Sequence, residues 1–146
     1  MPEEVFSFID RKEHYTETGT QVININTLFQ LYSMKKENSP LLAVADKLLF
    51  MPDLFSYFLT GTANNEYSIA STSELLDARK RDWSENLISQ LGLPRHIFGE
   101  IVMPGTRRGK LRKEIAEETG LGVVEVVAVG SHDTASAVFA VPCTQE

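Results

Sequence analysis

One stretch restricts the possible folds more than any other: residues 123–140, VVEVVAVGSHDTASAVFA. Residues 123–129 are β-branched or small, apart from Glu125, and read as a buried strand ending at Gly130. A polar knot follows, Ser131, His132, Asp133 and Thr134. Residues 135–140 then show the small-residue pattern of a helix. Strand, tight turn and helix in this order belong to α/β proteins, whose ligands bind at the carboxyl ends of strands.

The rest of the chain reads mostly as helix. Residues 2–14 form an amphipathic pattern with Val5, Phe6 and Ile9 on one side, and Thr16 to Gly19 read as a turn. Residues 22–26 alternate apolar and polar, which fits a short strand or an extended lead-in. Asn26 or Thr27 caps a helix running to about Lys36. Ser39 and Pro40 open a helix whose apolar face reaches Leu48 and Leu49. Pro52 opens the next, with Asp53 near its positive end and Gly61 closing it. Asn64 to Tyr67 read as a polar loop, and residues 68–76 as a short helix followed by an extended piece. Asp82 or Ser84 caps a helix ended by Gly92, with Trp83, Leu87, Ile88 and Leu91 inward. Pro94 starts another helical turn, and Ile101 to Met103 form a short extended run. Leu111 to Thr119 form a charged amphipathic helix stopped by Gly120.

About six helices therefore accompany one clear strand. A lone strand leaves buried amides and carbonyls unpaired, at about 1–3 kcal/mol each. Most of its sheet is expected to lie outside these residues, in a longer protein or in a second copy. No internal repeat or low-complexity linker is present.

Composition narrows the classes further. A 42% hydrophobic content suits a folded globular chain. The net charge of −6 argues against nucleic acid and anionic membrane as partners. No apolar run approaches the ~20 residues that span a bilayer, and the acidic N-terminus lacks the pattern of a signal peptide. The single cysteine, Cys143, cannot form an internal disulfide and reads as a small apolar residue. A cytoplasmic location is expected.

Several motifs carry less than they promise. Gly105, Gly109 and Lys110 imitate a phosphate-binding loop, but only three residues separate the glycines and Leu111 replaces the required Ser or Thr. A basic surface turn is expected there. Gly120, Leu121 and Gly122 are too short for a dinucleotide fingerprint. Ser131, His132 and Asp133 spell a hydrolase triad, yet adjacent residues do not align in a triad's line. His14, His96 and His132 show no metal-ligand spacing.

Asp133 is the strongest candidate for chemistry. At the start of a helix, amides and the helix dipole keep a carboxylate ionised. Two roles fit it: an N-cap that only holds the turn, or a general base that takes a proton from a bound hydroxyl. His132 fits either a substrate contact or plain packing, and Thr134 either a substrate contact or a bond to its own helix.

The segment GSHDTASAVFAVP resembles the Gly/His-Asp-Thr segment of the FGGY carbohydrate kinases. Further stretches match in order: NINTLFQLY, LLFMPDLFSYFLTG, NEYSIASTSELLD and RDWSENLISQLGLP. Together they cover residues 15–142, and the residues before Tyr15 match only loosely. The nearest branch has Ser-His-Asp-Thr-Ala-Ser-Ala-Val at the same place and acts in rhamnose catabolism.

The resemblance implies a partial ribonuclease H-like, actin-like ATPase domain of the α/β class, mostly helical in residues 1–146. It implies phosphoryl transfer from ATP, with Mg²⁺, to a small-molecule sugar. L-rhamnulose leads as acceptor, giving L-rhamnulose 1-phosphate, with L-fuculose as runner-up. Asp133 falls on the family's catalytic base, and His132, Asp133 and Thr134 on its substrate-contacting triplet. Residues 1–146 would belong to the N-terminal, sugar-binding domain. The family's phosphate loop and its nucleotide-binding second domain are expected outside them, so the remainder of a kinase chain is the expected partner and the 146 residues alone are expected to be inactive. A non-catalytic helical interaction domain of kinase ancestry is the alternative, and another phosphotransferase of the same fold a third reading.

Overall fold

Helix boundaries follow the local chemistry of the chain in the computed structural model, which describes residues 1–142. Cys143 lies outside the described residues. Pro2 opens α1 (Pro2–Val5), and Asp10 caps α2 (Arg11–Thr18) by accepting from the Glu13 amide. The single helix expected over residues 2–14 is thus two, and the expected turn at Thr16 lies inside α2. Asn26 precedes α3 (Thr27–Lys36), as expected. Residues 22–26 form no strand; their backbone turns into α3. Pro40 opens α4 (Pro40–Val44), which stops well short of Leu49. α5 (Met51–Thr60) ends at Gly61 in the left-handed conformation, φ 83°.

Then come β1 (Asn65–Glu66), α6 (Tyr67–Ser71), β2 (Leu76–Asp77) and β3 (Asp82–Trp83). Ser84 caps α7 (Glu85–Leu91), its hydroxyl accepting from the Leu87 amide. A 3-10 turn (Arg95–Ile97) leads to β4 (Ile101–Val102), β5 (Arg107–Lys110) and α8 (Lys113–Thr119). β6 (Glu125–Val127) and α9 (Asp133–Phe139) complete the described chain. The architecture is mostly helical with few, short strands, as expected.

The chain divides into two units. The first comprises Met1–Leu48 and Ala70–Ile101. Its core is largely apolar: Val5, Leu28, Phe29, Leu75, Leu87 and Ile88 are buried. Trp83 packs edge-on to Phe98 and donates from Nε1 to the Gly99 carbonyl at 2.7 Å. β2 and β3 pair antiparallel, Leu76 opposite Trp83. Polar groups are buried here too. Glu74 accepts from the Ile23 amide and from Asn26 Nδ2, both at 2.8 Å, and its own carbonyl lies 3.3 Å from His14 Nε2. Burial holds His14 below the ordinary histidine value, so its ring favours the neutral form.

The second unit comprises Leu49–Ile69 and the chain from Val102 onward. Here β5 and β6 form an antiparallel ribbon with Arg107 opposite Val127 and Lys110 opposite Glu125. Bonds from Gly105 to the Ala128 carbonyl and from Leu111 to the Val124 carbonyl extend it. Two expectations are corrected. Residues 105–110 are not simply a basic surface turn, because residues 107–110 are a strand. The strand over residues 123–129 shortens to β6 and finds a partner within the chain. It is also not buried: Val123 is 74% exposed and Val129 68%. β-Branched residues report a preference for extended backbone; which face is covered depends on what packs there.

The interior of this second unit is unusually polar. Asp53, Asn64, Asn65, Glu66 and Arg108 are buried alongside Val102, Leu111, Ala116 and Ala128. Meanwhile Phe55 and Phe58 of α5 are exposed.

Candidate functional site

The site is built where the ribbon ends and α9 begins, wholly within the second unit. After β6, His132, not Asp133, occupies the N-cap position of α9 in extended backbone, and its side chain makes no capping bond. Asp133 is the first helical residue, and its side chain is 98% exposed. Its Oδ1 accepts from the Thr134 amide at 2.6 Å and from the Thr134 hydroxyl at 3.3 Å. The His132 ring, about a third exposed, stands with Nε2 at 3.8 Å from the same oxygen. The three residues named from the sequence therefore stand together, and none is buried. Asp133 stands one residue inside the N-cap position, and its carboxylate still holds a first-turn amide of the helix. It is a carboxylate held at the surface by its own backbone, with its second oxygen open to an incoming hydroxyl.

What holds that backbone was not read from the sequence. Glu66, placed in a polar loop by composition, is fully buried. Its Oε2 accepts from the Ser131 amide at 3.1 Å and the Ser131 hydroxyl at 2.6 Å. The same oxygen accepts from the Ser68 hydroxyl at 2.5 Å and the Ile69 amide at 3.2 Å, while Oε1 takes the Ser68 amide at 2.7 Å. Ser68 Oγ in turn accepts from the His132 amide at 3.1 Å. From the other side, the Ser136 hydroxyl donates to the Gly130 carbonyl at 2.5 Å and the Ser136 amide to the His132 carbonyl at 3.0 Å. Burial opposes ionisation of Glu66, but the donors from Ser131 and Ser68 outweigh it and hold the carboxyl below its ordinary range.

Glu66 is itself tethered. Its amide donates to Asp53 Oδ1 at 3.0 Å, and Arg108 Nη2 donates to the same oxygen at 2.6 Å. Both partners are almost completely buried. Arg108 reaches inward because the ribbon carries a bulge between Arg107 and Gly109, which re-aims the intervening side chain. Asp53 Oδ2 and Arg108 Nε and Nη1 make no hydrogen bond among the described residues, and both residues border a cavity of about 70 Å³ that Ser56 and Ser131 also line. On the α9 side an apolar pocket of about 360 Å³ is lined by Ser68, Pro104, Gly130, Ala135, Ser136 and Phe139. The signal that singles out Glu66 was present in NEYSIASTSELLD, one of the ordered resemblances, but a glutamate between asparagines and a tyrosine carries no mark of burial.

Among the described residues no group of three or more His, Cys, Asp or Glu side chains is placed to hold a metal ion. Among the same residues no helix is long and apolar enough to cross a membrane.

Carbohydrate kinases are among the solved structures that superpose on this chain. A xylulose kinase from Rhodospirillum rubrum superposes with a TM-score of 0.83 at 18% identity, over 93% of this chain and 28% of that one. A carbohydrate kinase from Novosphingobium aromaticivorans superposes with a TM-score of 0.73 at 30% identity, over 96% of this chain and 30% of that one. The fold is the actin-like ATPase fold of these enzymes. Residues 4–140 match the model of the FGGY family of carbohydrate kinases, N-terminal domain, and the chain belongs to that family. It is 48% identical over 141 residues to the rhamnulokinase of Bacteroides thetaiotaomicron, covering 97% of this chain and 29% of that protein. It is 42% identical over 142 residues to the rhamnulokinase of Oceanobacillus iheyensis, covering 97% and 30%. The chain thus spans less than a third of the length of the relatives it matches.

Proposed function

We propose that these residues form part of the N-terminal, sugar-binding domain of a kinase that transfers the γ-phosphoryl group of ATP to L-rhamnulose, giving L-rhamnulose 1-phosphate. The observation that carries the reading is Asp133, an open carboxylate at the head of α9 on a turn anchored in the interior. The identity to two rhamnulokinases supports the choice of sugar. In this reading a sugar hydroxyl donates its hydrogen bond to Asp133 and its oxygen attacks the γ-phosphorus. The bond from that phosphorus to the β-phosphate bridging oxygen breaks, ADP leaves, and the hydroxyl proton passes to Asp133. His132 and Thr134, flanking the carboxylate, hold neighbouring sugar hydroxyls.

Phosphoryl transfer needs little covalent help from a protein; position and charge stabilisation supply most of the rate. Mg²⁺, when bound with ATP, neutralises phosphate charge. The rest of the kinase chain is the proposed partner, and the cytoplasm, where ATP and reduced thiols prevail, the proposed location.

The test is ADP formation by the full-length protein containing these residues, with L-rhamnulose, L-fuculose and D-xylulose offered separately. L-rhamnulose is expected to support turnover best. Asp133→Asn is expected to lower turnover by about 10²–10⁴-fold, the usual contribution of a positioned base, while leaving the melting temperature near wild type. Preference for L-fuculose would reassign the sugar. Near-normal turnover of Asp133→Asn, or no turnover with any sugar, would overturn the reading.

A further inference from the structure

We propose that Glu66 is the positioning residue of this site: its buried carboxylate sets where the 131–134 turn, and with it His132 and Asp133, stands against the sugar. The inference rests on the reading of Asp133 as the base and extends it to a residue with no substrate contact.

The geometry gives Asp133 no anchor of its own. Among the described residues its side chain hydrogen-bonds to Thr134 and lies 3.8 Å from the neighbouring His132 ring, so its place is dictated by the backbone that carries it. That backbone is held at two consecutive amides. Ser131 N–H binds Glu66 directly, and His132 N–H binds it through the Ser68 hydroxyl, which accepts from His132 and donates to Glu66. Glu66 cannot drift, because its own amide is fixed on the Asp53–Arg108 pair. A chain of contacts therefore runs from a buried ion pair, through one carboxylate, to the turn beneath the proposed base.

The position calls for a carboxylate rather than any polar group. Oε2 receives the amides of Ser131 and Ile69, and Oε1 receives the amide of Ser68. Hydroxyls can rotate away from a new donor; these amides cannot. A glutamine in either orientation would set its NH₂ against at least one fixed N–H. The low pKa direction of Glu66 fits an acceptor that stays ionised through neutral pH.

The experiment uses the full-length enzyme and compares Glu66→Gln, Ser68→Ala, Ser131→Ala and Asp133→Asn. Each kcat is normalised to folded protein measured by circular dichroism. Glu66→Gln is expected to lower kcat by about ten- to a hundredfold, the scale of a misplacement near 1 Å. The KM for ATP stays unchanged, and the KM for the sugar rises a few-fold because His132 moves with the turn. Ser68→Ala is expected to lower kcat less, and adding it to Glu66→Gln to cost little more, since both act through one linkage. A purely structural role would show as lost folded protein with wild-type kcat in what remains, and that result overturns the proposal. If Glu66→Gln does not fold, wild-type kcat in both serine variants overturns it instead. Inactive Asp133→Asn beside fully active Glu66→Gln defeats the positioning role alone; active Asp133→Asn defeats the underlying reading and this proposal with it.

Discussion

At the scale of single residues, the second unit buries charged groups in its interior. Asp53 and Arg108 meet at 2.6 Å with almost no solvent contact. Burial pushes the Asp53 carboxyl above its ordinary value, against the pull of Arg108 and of the Glu66 amide. Glu66 behaves in the opposite sense. Burial raises it, but the serine donors prevail and its folded pKa lies below the ordinary 4.5. A carboxyl depressed in the folded state contributes stability that is fully present above the unfolded value. That contribution is lost as pH falls from about 4.5 through the lowered folded value. Acid titration of stability by urea unfolding should therefore show a loss in that window, and Glu66→Gln should flatten it. An unchanged acid limb in the variant would mean that the hydrogen bonds to Glu66 do not favour its charged form.

At the scale of elements, the β5–β6 ribbon converts a sequence of basic residues into a support for the site. The bulge turns Arg108 inward toward Asp53 and is completed by Gly109 at φ 123°, a conformation that L side chains rarely adopt. A Cβ at Gly109 would meet Thr62 Oγ1 at 3.4 Å and Thr60 Cβ at 3.7 Å, so backbone strain outweighs crowding. Gly109→Ala is expected to destabilise the protein by about 1 kcal/mol or somewhat more, read as a lower urea midpoint with unchanged slope. A neutral effect would show that the ribbon relaxes without releasing Arg108. α9 contributes differently. None of its residues is buried, and Phe139 is 93% exposed, so the helix is held by its first turn rather than by an apolar face.

At the scale of the whole molecule, each unit has its own interior, apolar in the first and polar in the second. Apolar side chains remain uncovered in the second: Met51, Phe55 and Phe58 on α5, Val123 and Val129 flanking β6, and Phe139 on α9. Contiguous exposed apolar area favours association with other protein. The 146-residue polypeptide expressed alone is therefore expected to bind a hydrophobic dye and to elute above its 16.3 kDa mass. It is also expected to form no ADP from ATP and L-rhamnulose, since it spans less than a third of its rhamnulokinase relatives. Monomeric elution without dye binding would contradict the first expectation, and sugar-dependent ADP the second.

Local rules act over a few neighbouring residues, and what depends on them was legible in the chain. Pro40, Gly61, Ser84, Gly92 and Gly120 stand where helices start or stop because caps and left-handed turns need only adjacent atoms. The triplet His132, Asp133 and Thr134 could be named as a candidate for the same reason, being contiguous and placed after a β-branched run. Burial and distant pairing were not. Val123 and Val129 have the composition of a core strand yet are exposed, while Glu66 and Arg108 have the composition of a surface yet are buried. Whether a charged group is buried depends on partners that close around it. For Glu66 those partners include Ser131, 65 residues away, and for Arg108, Asp53, 55 residues away. Only the tertiary structure brings such residues together, and it alone decided that the turn bearing Asp133 rests on Glu66.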